Sequence, residues 1–351
     1  MRAAFALRAA LLAAADRVVP AELAVLHHTA GFGTTRLVGA IVQLGVVDAL
    51  AAGPSTAQEL ARRLDLHADS LHRALRALAV ARIVHLDARG RFALTRLSRV
   101  LASDRVPTLS HWVAYLNLDS TQDGWAAIAD SIRTGEPAFP LVHGRSVWQH
   151  YADHPEEEET FAGAMRNFSN LDLPLIVAGY PWPRSGRLCD VGGGVGALLA
   201  GILQSRPGLR GVCVDAPGVL EQADAYLRET GMRERVELTP GDMFERVEAE
   251  ADLYLMRNIL HDWDDERCVR LLATIRATMP SGARLVVIEV LQERNRVDPF
   301  ASLSDIQMLA ATDGGRERSA PELHALFSAA GLEPGSVRQT AGPALVEAVA
   351  P

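Results

Sequence analysis

The sequence predicts an α/β protein. Its C-terminal half reads as a doubly wound, mostly parallel sheet, and its N-terminal part as mainly helical. Three observations carry this. From Arg187 onward, apolar runs of strand length alternate with helical patterns as far as Leu332, the order expected of a parallel sheet covered by helices on both faces. Leu188-Cys-Asp-Val-Gly-Gly-Gly-Val-Gly196 leads into Ala197-Leu-Leu-Ala-Gly-Ile-Leu203, a buried strand, a tight turn and a helix start. The first ~100 residues follow a helix, turn, helix, hairpin order instead. The expected organisation is a helical, winged-helix-like domain over 1–105, a helical linker over 106–180 and a Rossmann-like domain over 181–351.

In chain order, Ser55-Thr-Ala-Gln-Glu-Leu-Ala61 offers a capping hydroxyl before apolar residues at helical spacing. Ser70-Leu-His-Arg-Ala-Leu-Arg-Ala-Leu78 is a second helix. Ile83-Val-His-Leu86 and Arg91-Phe-Ala-Leu94 flank a turn at Asp87-Ala-Arg-Gly90, a hairpin signal. Between about 105 and 180 the pattern is helical, with breaks expected at Pro137, Pro140 and Pro155. Aromatic residues concentrate there, among them Trp112, Tyr115, Trp125, Trp148, Tyr151, Phe161 and Phe168, as in a wall for a flat ligand. Glu156-Glu-Glu-Glu159 reads as a solvated helix start. Strands are expected at 187–191, 210–215, 235–238, 252–257, 283–290, 335–340 and 344–349. Gly342-Pro343 makes the last two an antiparallel pair, giving the sheet an antiparallel edge.

Composition excludes several function classes. The net charge of −8 argues against nucleic acid as a partner, because phosphate binding needs a basic face. All 35 basic residues are arginine, so no Schiff-base or phosphate-loop lysine exists, and a GC-rich bacterial genome is the compositional inference. Cys189, Cys213 and Cys268 lack zinc-ligand spacing and read as reduced packing residues. No run reaches the ~18 apolar residues of a membrane span. The N-terminal stretch imitates a secretory signal, but Arg8 interrupts its apolar core and Asp16-Arg17 follows in place of a cleavage site. A cytoplasmic protein with a frayed or partner-bound N-terminal helix is expected.

The glycine cluster implies a nucleoside cofactor. Glycines admit a ligand to the backbone at a helix N-terminus, and Asp215, roughly 20 residues on, ends the next strand where a carboxylate takes ribose hydroxyls. On the glycines alone, Gly192-x-Gly194-x-x-Ala197 leaves a dinucleotide and S-adenosylmethionine both open. Three features favour the second. Asp190 would repel a pyrophosphate but accept a bond from an ammonium. Gly241-Asp-Met-Phe244 sets an acid beside an apolar side chain. Leu255-Met-Arg-Asn-Ile-Leu-His-Asp-Trp-Asp-Asp265 serves no hydride transfer.

Taken together, Asp-Val-Gly-Gly-Gly-x-Gly, Asp215, Gly-Asp-Met-Phe and Ile-Leu-His-Asp-Trp resemble the S-adenosylmethionine-dependent small-molecule O-methyltransferases. These include plant caffeic-acid and flavonoid enzymes, acetylserotonin methyltransferase and bacterial antibiotic-tailoring enzymes, and the likeness covers nearly the whole chain. It implies a homodimer whose N-terminal domain walls the partner's substrate pocket, S-adenosylhomocysteine as product, and no metal. Gly192 and Gly194 would admit the methionine portion, with Asp190 near its ammonium and Asp215 on the ribose. Asp242 would accept from the adenine amino group and Met243 pack on its face. Ser169 matches a cofactor-contacting serine, and Arg257 stands where the family usually has lysine. Trp148, Tyr151, Phe161, Met165, Phe168, Met308 and Thr312 match acceptor-pocket positions; Phe168 replaces a polar residue common in the plant enzymes.

The chemistry needs a hydroxyl oxygen aligned with the methyl group and a sharper nucleophile. A phenol of pKa near ~10 is protonated at neutral pH, and an imidazole near its ordinary ~6.5 is a suitable acceptor for that proton. His261 is the expected base, with Glu289 and Glu317 as acidic partners that fix its tautomer and Asp262 beside it. Asp264 and Asp265 are expected to cap the next helix rather than bind a cation. The alternatives are a relative performing hydroxylation or decarboxylation, and a ligand-responsive DNA-binding regulator using the winged part.

Overall fold

The structure, a computed structural model, describes residues 2–351. Two compact units are formed: one runs to Asp119 and takes in Glu159–Phe168, and the other comprises Ser120–Glu158 and Ser169–Pro351. Among the described residues no helix is long and apolar enough to cross a membrane.

In the first unit, helices Arg2–Val18, Ala21–Thr29, Gly31–Gln43 and Val46–Ala51 precede the winged part. Leu7, Leu11, Leu12, Leu23, Leu26 and Phe32 stand exposed along the first three, more apolar surface than a lone helix normally leaves in water. The capping hydroxyl belongs to Thr56. It accepts the Glu59 N–H at 3.2 Å while the Glu59 carboxylate accepts the Thr56 N–H at 2.7 Å, so two orphan donors of helix Ala57–Leu64 are satisfied reciprocally. Leu60 joins Leu71, Leu75 and Leu78 of helix Ala68–Val80 in one core. The hairpin is present: β1 (Val84–Leu86) pairs antiparallel with β2 (Phe92–Leu94). Its turn is tied by Asp87 Oδ1, which accepts the Arg89 and Arg91 N–H groups at 2.9 Å each.

The helical stretch breaks at Pro137 and Pro155 as expected, but not at Pro140. Pro137 precedes helix Ala138–His143, Pro140 lies inside it, and Pro155 opens the long helix Pro155–Gly179. A proline in a first turn lacks only an N–H that the helix would not have used, so Pro140 is tolerated within its helix and Pro155 opens a new one after the break. The acidic run that follows is less solvated than expected. Glu157 accepts the Ser120 hydroxyl at 2.5 Å and lies 2.9 Å from Nε2 of the buried His150.

The second unit holds the sheet: β3 (Ser185–Val191), β4 (Gly208–Asp215), β5 (Val236–Pro240), β6 (Leu253–Arg257), β7 (Arg284–Glu289), β8 (Glu333–Gln339) and β9 (Ala344–Val349). All seven stand where the sequence places them. The spatial order is β5-β4-β3-β6-β7-β9-β8. Neighbours pair in parallel from β5 through β7, and β9 runs antiparallel to both β7 and β8. Alternate residues of β6 enter different cores: Leu253 and Leu255 pack on one face, Tyr254 and Met256 on the other. Cys189, Cys213 and Cys268 are free and buried, and burial pushes the Cys268 thiol up to about 12. The chain winds outward from β3 through β4 to β5, then returns to lay β6 on the other side. That reversal puts the topological switch point at the carboxyl ends of β3 and β6, where ligands of such sheets bind.

Candidate active site

The loop after β3 turns on glycines with positive φ: Gly192 at 68°, Gly194 at 56° and Gly196 at 77°. A Cβ on Gly192 would stand 2.6 Å from Ile259 Cδ1 and 3.7 Å from the Met243 sulfur, so the loop can close on its neighbours only without a side chain there. Next to Gly194 that position is open, and its N–H donates to Asp215 Oδ2 at 2.8 Å. Asp215 Oδ1 accepts the Ala216 N–H, also at 2.8 Å. The carboxylate is thus fixed at the end of β4 with a lone pair left on each oxygen, the form that takes two vicinal hydroxyls. Asp242 is exposed after β5, its Oδ1 accepting the Phe244 N–H at 2.8 Å, beside the half-buried Met243.

Asp190 is 2% exposed, and its Oδ2 has no hydrogen-bond partner. Burial raises its carboxyl to about 7, against the pull of Arg257 and with a push from Asp215. A buried carboxylate oxygen beside a glycine loop fits the ammonium of an S-adenosyl amino acid. If Asp190 takes that ammonium, cofactor affinity should rise with pH, because only the ionised carboxylate would accept from it. We expect S-adenosylhomocysteine to bind about tenfold more weakly at pH 6 than at pH 8. Calorimetry at the two values checks this, and Asp190→Asn should abolish the difference.

Arg257 at the end of β6 is fully committed at its tip. Nη1 donates to Ser169 Oγ at 2.5 Å, and Nη2 donates to the Asp172 oxygens at 2.8 and 2.9 Å. Asp172 is absent from the sequence reading. Its position one helical turn beyond Ser169, on the same face, was the available signal.

The turn Leu260–Asp262 carries His261. Glu289, at the end of β7, accepts the Ile259 and Leu260 N–H groups on Oε1 at 3.1 and 3.0 Å. Its Oε2 lies 3.6 Å from His261 Nδ1. Glu317 Oε1 is nearer that nitrogen, at 3.1 Å, and also accepts the Ser304 hydroxyl at 2.6 Å. Asp262 Oδ1 lies 3.5 Å from Nε2. Glu317 is buried, 5% exposed. The adjacent Arg318 donates to the Leu260 and Trp263 carbonyls at 2.7 Å each and holds the turn from beneath. As expected, Asp264 caps helix Asp265–Thr278 by accepting the Arg267 N–H.

The electrostatics depart from the ordinary imidazole expected from sequence. Burial opposes a charged ring, but Glu289, Glu317 and Asp262 outweigh it and hold His261 up to about 10. Burial lifts Asp262 to about 7 and raises Glu289 as well. Sequence shows one histidine with a distant partner, whereas the fold surrounds the ring with three acids. One ligand atom each from His261, Glu289 and Glu317 lies within 4.8 Å of the others, a spacing a cation could also use.

The acceptor-pocket residues divide between the units. In the second, the Trp148 ring lies 6.3 Å from Tyr151 and 5.7 Å from Trp263. Met308 is half-buried. The Thr312 hydroxyl donates to the Met308 carbonyl and accepts the Gly315 N–H at 2.9 Å, so it is occupied in shaping its own loop. In the first unit, Phe168 meets Trp112 edge-on at 4.6 Å and Phe161 meets Tyr115 at 5.6 Å. Met165 is half-buried on the same helix.

Comparison with known proteins agrees with this geometry. Residues 125–333 match the family model of the O-methyltransferase domain, and residues 26–104 that of the O-methyltransferase dimerisation domain. The mitomycin biosynthesis 6-O-methyltransferase of Streptomyces lavendulae is 35% identical over 89% of this chain and 89% of its own. The solved structure of LaPhzM superposes with a TM-score of 0.90 at 30% identity, covering 95% of this chain and 100% of that one. NcsB1, an O-methyltransferase from neocarzinostatin biosynthesis solved with S-adenosyl-L-homocysteine and 1,4-dihydroxy-2-naphthoic acid, gives 0.79 at 32% identity over 91% and 96%. The chain belongs to the S-adenosylmethionine-dependent small-molecule O-methyltransferases, and S-adenosylmethionine is its methyl donor.

Proposed function

We propose that this enzyme methylates a phenolic hydroxyl of a small aromatic natural product in bacterial secondary metabolism, with His261 as the proton acceptor. The carrying observation is His261 held among Glu289, Glu317 and Asp262 in the turn that follows β6. The cofactor supplies a methyl group already activated on a sulfonium sulfur. The protein's residues supply alignment and a more nucleophilic oxygen. Glu317 and Glu289 hold the Nδ1 side of the ring and stabilise its charge, leaving Nε2 to exchange a proton with the acceptor. With the ring near 10 and a phenol near ~10, the phenol–imidazole and phenolate–imidazolium pairs are nearly equal in energy. Once the ring is in its neutral form, transfer of the phenolic proton to it therefore adds little to the barrier. Within the second unit, Trp148, Tyr151 and Met308 would form a pliable apolar wall for the ring system.

Incubation with radiolabelled methyl donor and a panel of phenolic natural products tests this. Label should move to a phenolic oxygen, and it should do so with chelator present, since Glu289 and Glu317 serve as partners of His261 rather than as ligands. Conversion of an acceptor without label transfer would favour the hydroxylase or decarboxylase reading, and label transfer abolished by chelator would restore a cation to the site. The first ~105 residues we assign to homodimerisation, supported by the exposed leucines of the N-terminal helices and the dimerisation-domain match. Light scattering should give twice the 37.8 kDa chain mass, and an interface above ~2,000 Å² is expected. A monomer at working concentration would refute the assignment.

A further inference from the structure

Two buried polar atoms near the switch point lack partners, and they are complementary. One is Arg257 Nε, the single nitrogen of that guanidinium not donating to Ser169 or Asp172. The other is Asp190 Oδ2, on β3, which pairs directly with β6. A buried charged donor and a buried charged acceptor left unbonded are costly. Together they match the carboxylate and the ammonium of a zwitterionic amino acid.

We propose that Asp172 is a positioning residue for the cofactor: its two-point grip on Nη2, with Ser169 on Nη1, directs Arg257 to receive the amino-acid end through Nε, while Asp190 takes the ammonium. The inference rests on S-adenosylmethionine as the cofactor and explains why an arginine needs a fixed partner here. A free guanidinium would offer its two-nitrogen edge to a carboxylate. Here both terminal nitrogens are engaged, so Nε is the one guanidinium nitrogen left without a partner. A lysine would have no second nitrogen for Asp172 to hold. Burial pushes the Asp172 carboxyl up, and Arg257 draws it back towards the ionised form that grips best.

Two ligands separate positioning from mere structural support. S-adenosylhomocysteine carries the amino-acid end; 5′-deoxy-5′-methylthioadenosine has the nucleoside and sulfur but lacks it. By calorimetry, Asp172→Asn and Arg257→Met should each weaken S-adenosylhomocysteine about tenfold and the thioadenosine by less than about twofold. Asp172→Asn added to Arg257→Met should cost little more, since one acts through the other. Asp172→Glu should restore most of the affinity. It also carries the test if Asp172→Asn folds poorly, which thermal melting will show. Equal losses for both ligands, no loss for either, or additive losses in the double variant would overturn the proposal. Failure of both ligands to bind the wild-type protein would count against the cofactor assignment itself.

Discussion

His261→Ala is expected to lower turnover by ~10²–10⁴ while leaving cofactor affinity within about twofold. We propose that the ring meets the acceptor oxygen and that Asp215, Asp242 and the glycine loop hold the adenosyl group. Wild-type activity should climb with pH above neutrality. The ring is held up to about 10, and the fraction in the proton-accepting form falls about tenfold for each unit below that value. In the alanine variant, alkaline pH should recover part of the loss, because the phenol then ionises unaided. Glu289→Gln removes one of the charges that raise the ring. It should cost less than the alanine change and move the rising limb of the pH profile to lower pH. Near-wild-type turnover of His261→Ala across the pH range would show that alignment alone drives the transfer.

Asp215→Ala should weaken S-adenosylmethionine and S-adenosylhomocysteine by roughly 1.5–3 kcal/mol, the scale of hydrogen bonds to a charged group. Two consequences combine in that figure. The ribose hydroxyls would lose the acceptor we propose for them, and the Gly194 and Ala216 N–H groups, both donating to Asp215 at 2.8 Å, would lose theirs, so the glycine loop would loosen as well. NAD should not bind either protein, since Asp190 would repel its pyrophosphate. Isothermal calorimetry decides both points: an unaffected variant would remove the ribose assignment, and NAD binding would reopen the dinucleotide reading.

How far such expectations could be formed from sequence differed by element. The central strands β3, β4, β6 and β7 were legible because each is a short apolar run that meets a polar residue or a glycine at its carboxyl end, and in a parallel sheet buried on both faces little else fits. Asp190, Asp215 and Glu289 were legible for the same reason, each being the polar residue that ends such a run. The setting of His261 was only partly visible. Ser304 and Arg318 come from distant segments, and no local periodicity announces that a loop arginine will hold two carbonyls of the histidine turn. The ring's elevated proton affinity was invisible in principle, because it depends on three carboxylates converging within 4 Å. Asp172 had a weak helical signal, but that signal pointed to Ser169 and not to Arg257. Pro140 misled because a proline within a first turn and one that ends a helix look alike in sequence.

The antiparallel placement of β9 has a consequence for the order in which the protein can mature. Glu289 ends β7, whose outer edge is covered by β9, with Glu289 opposite Ala344 and Leu285 opposite Ala348. Synthesis delivers β9 last of the seven strands, after β8, yet β9 must enter between β7 and β8. Until then β7 is an exposed, apolar, unpaired edge of the kind that seeks other chains. The catalytic half of the sheet therefore cannot close cotranslationally in strand order. A nascent chain halted before Ala344 should aggregate or recruit chaperones, even though its nucleoside-binding half, β3 to β5, is already complete.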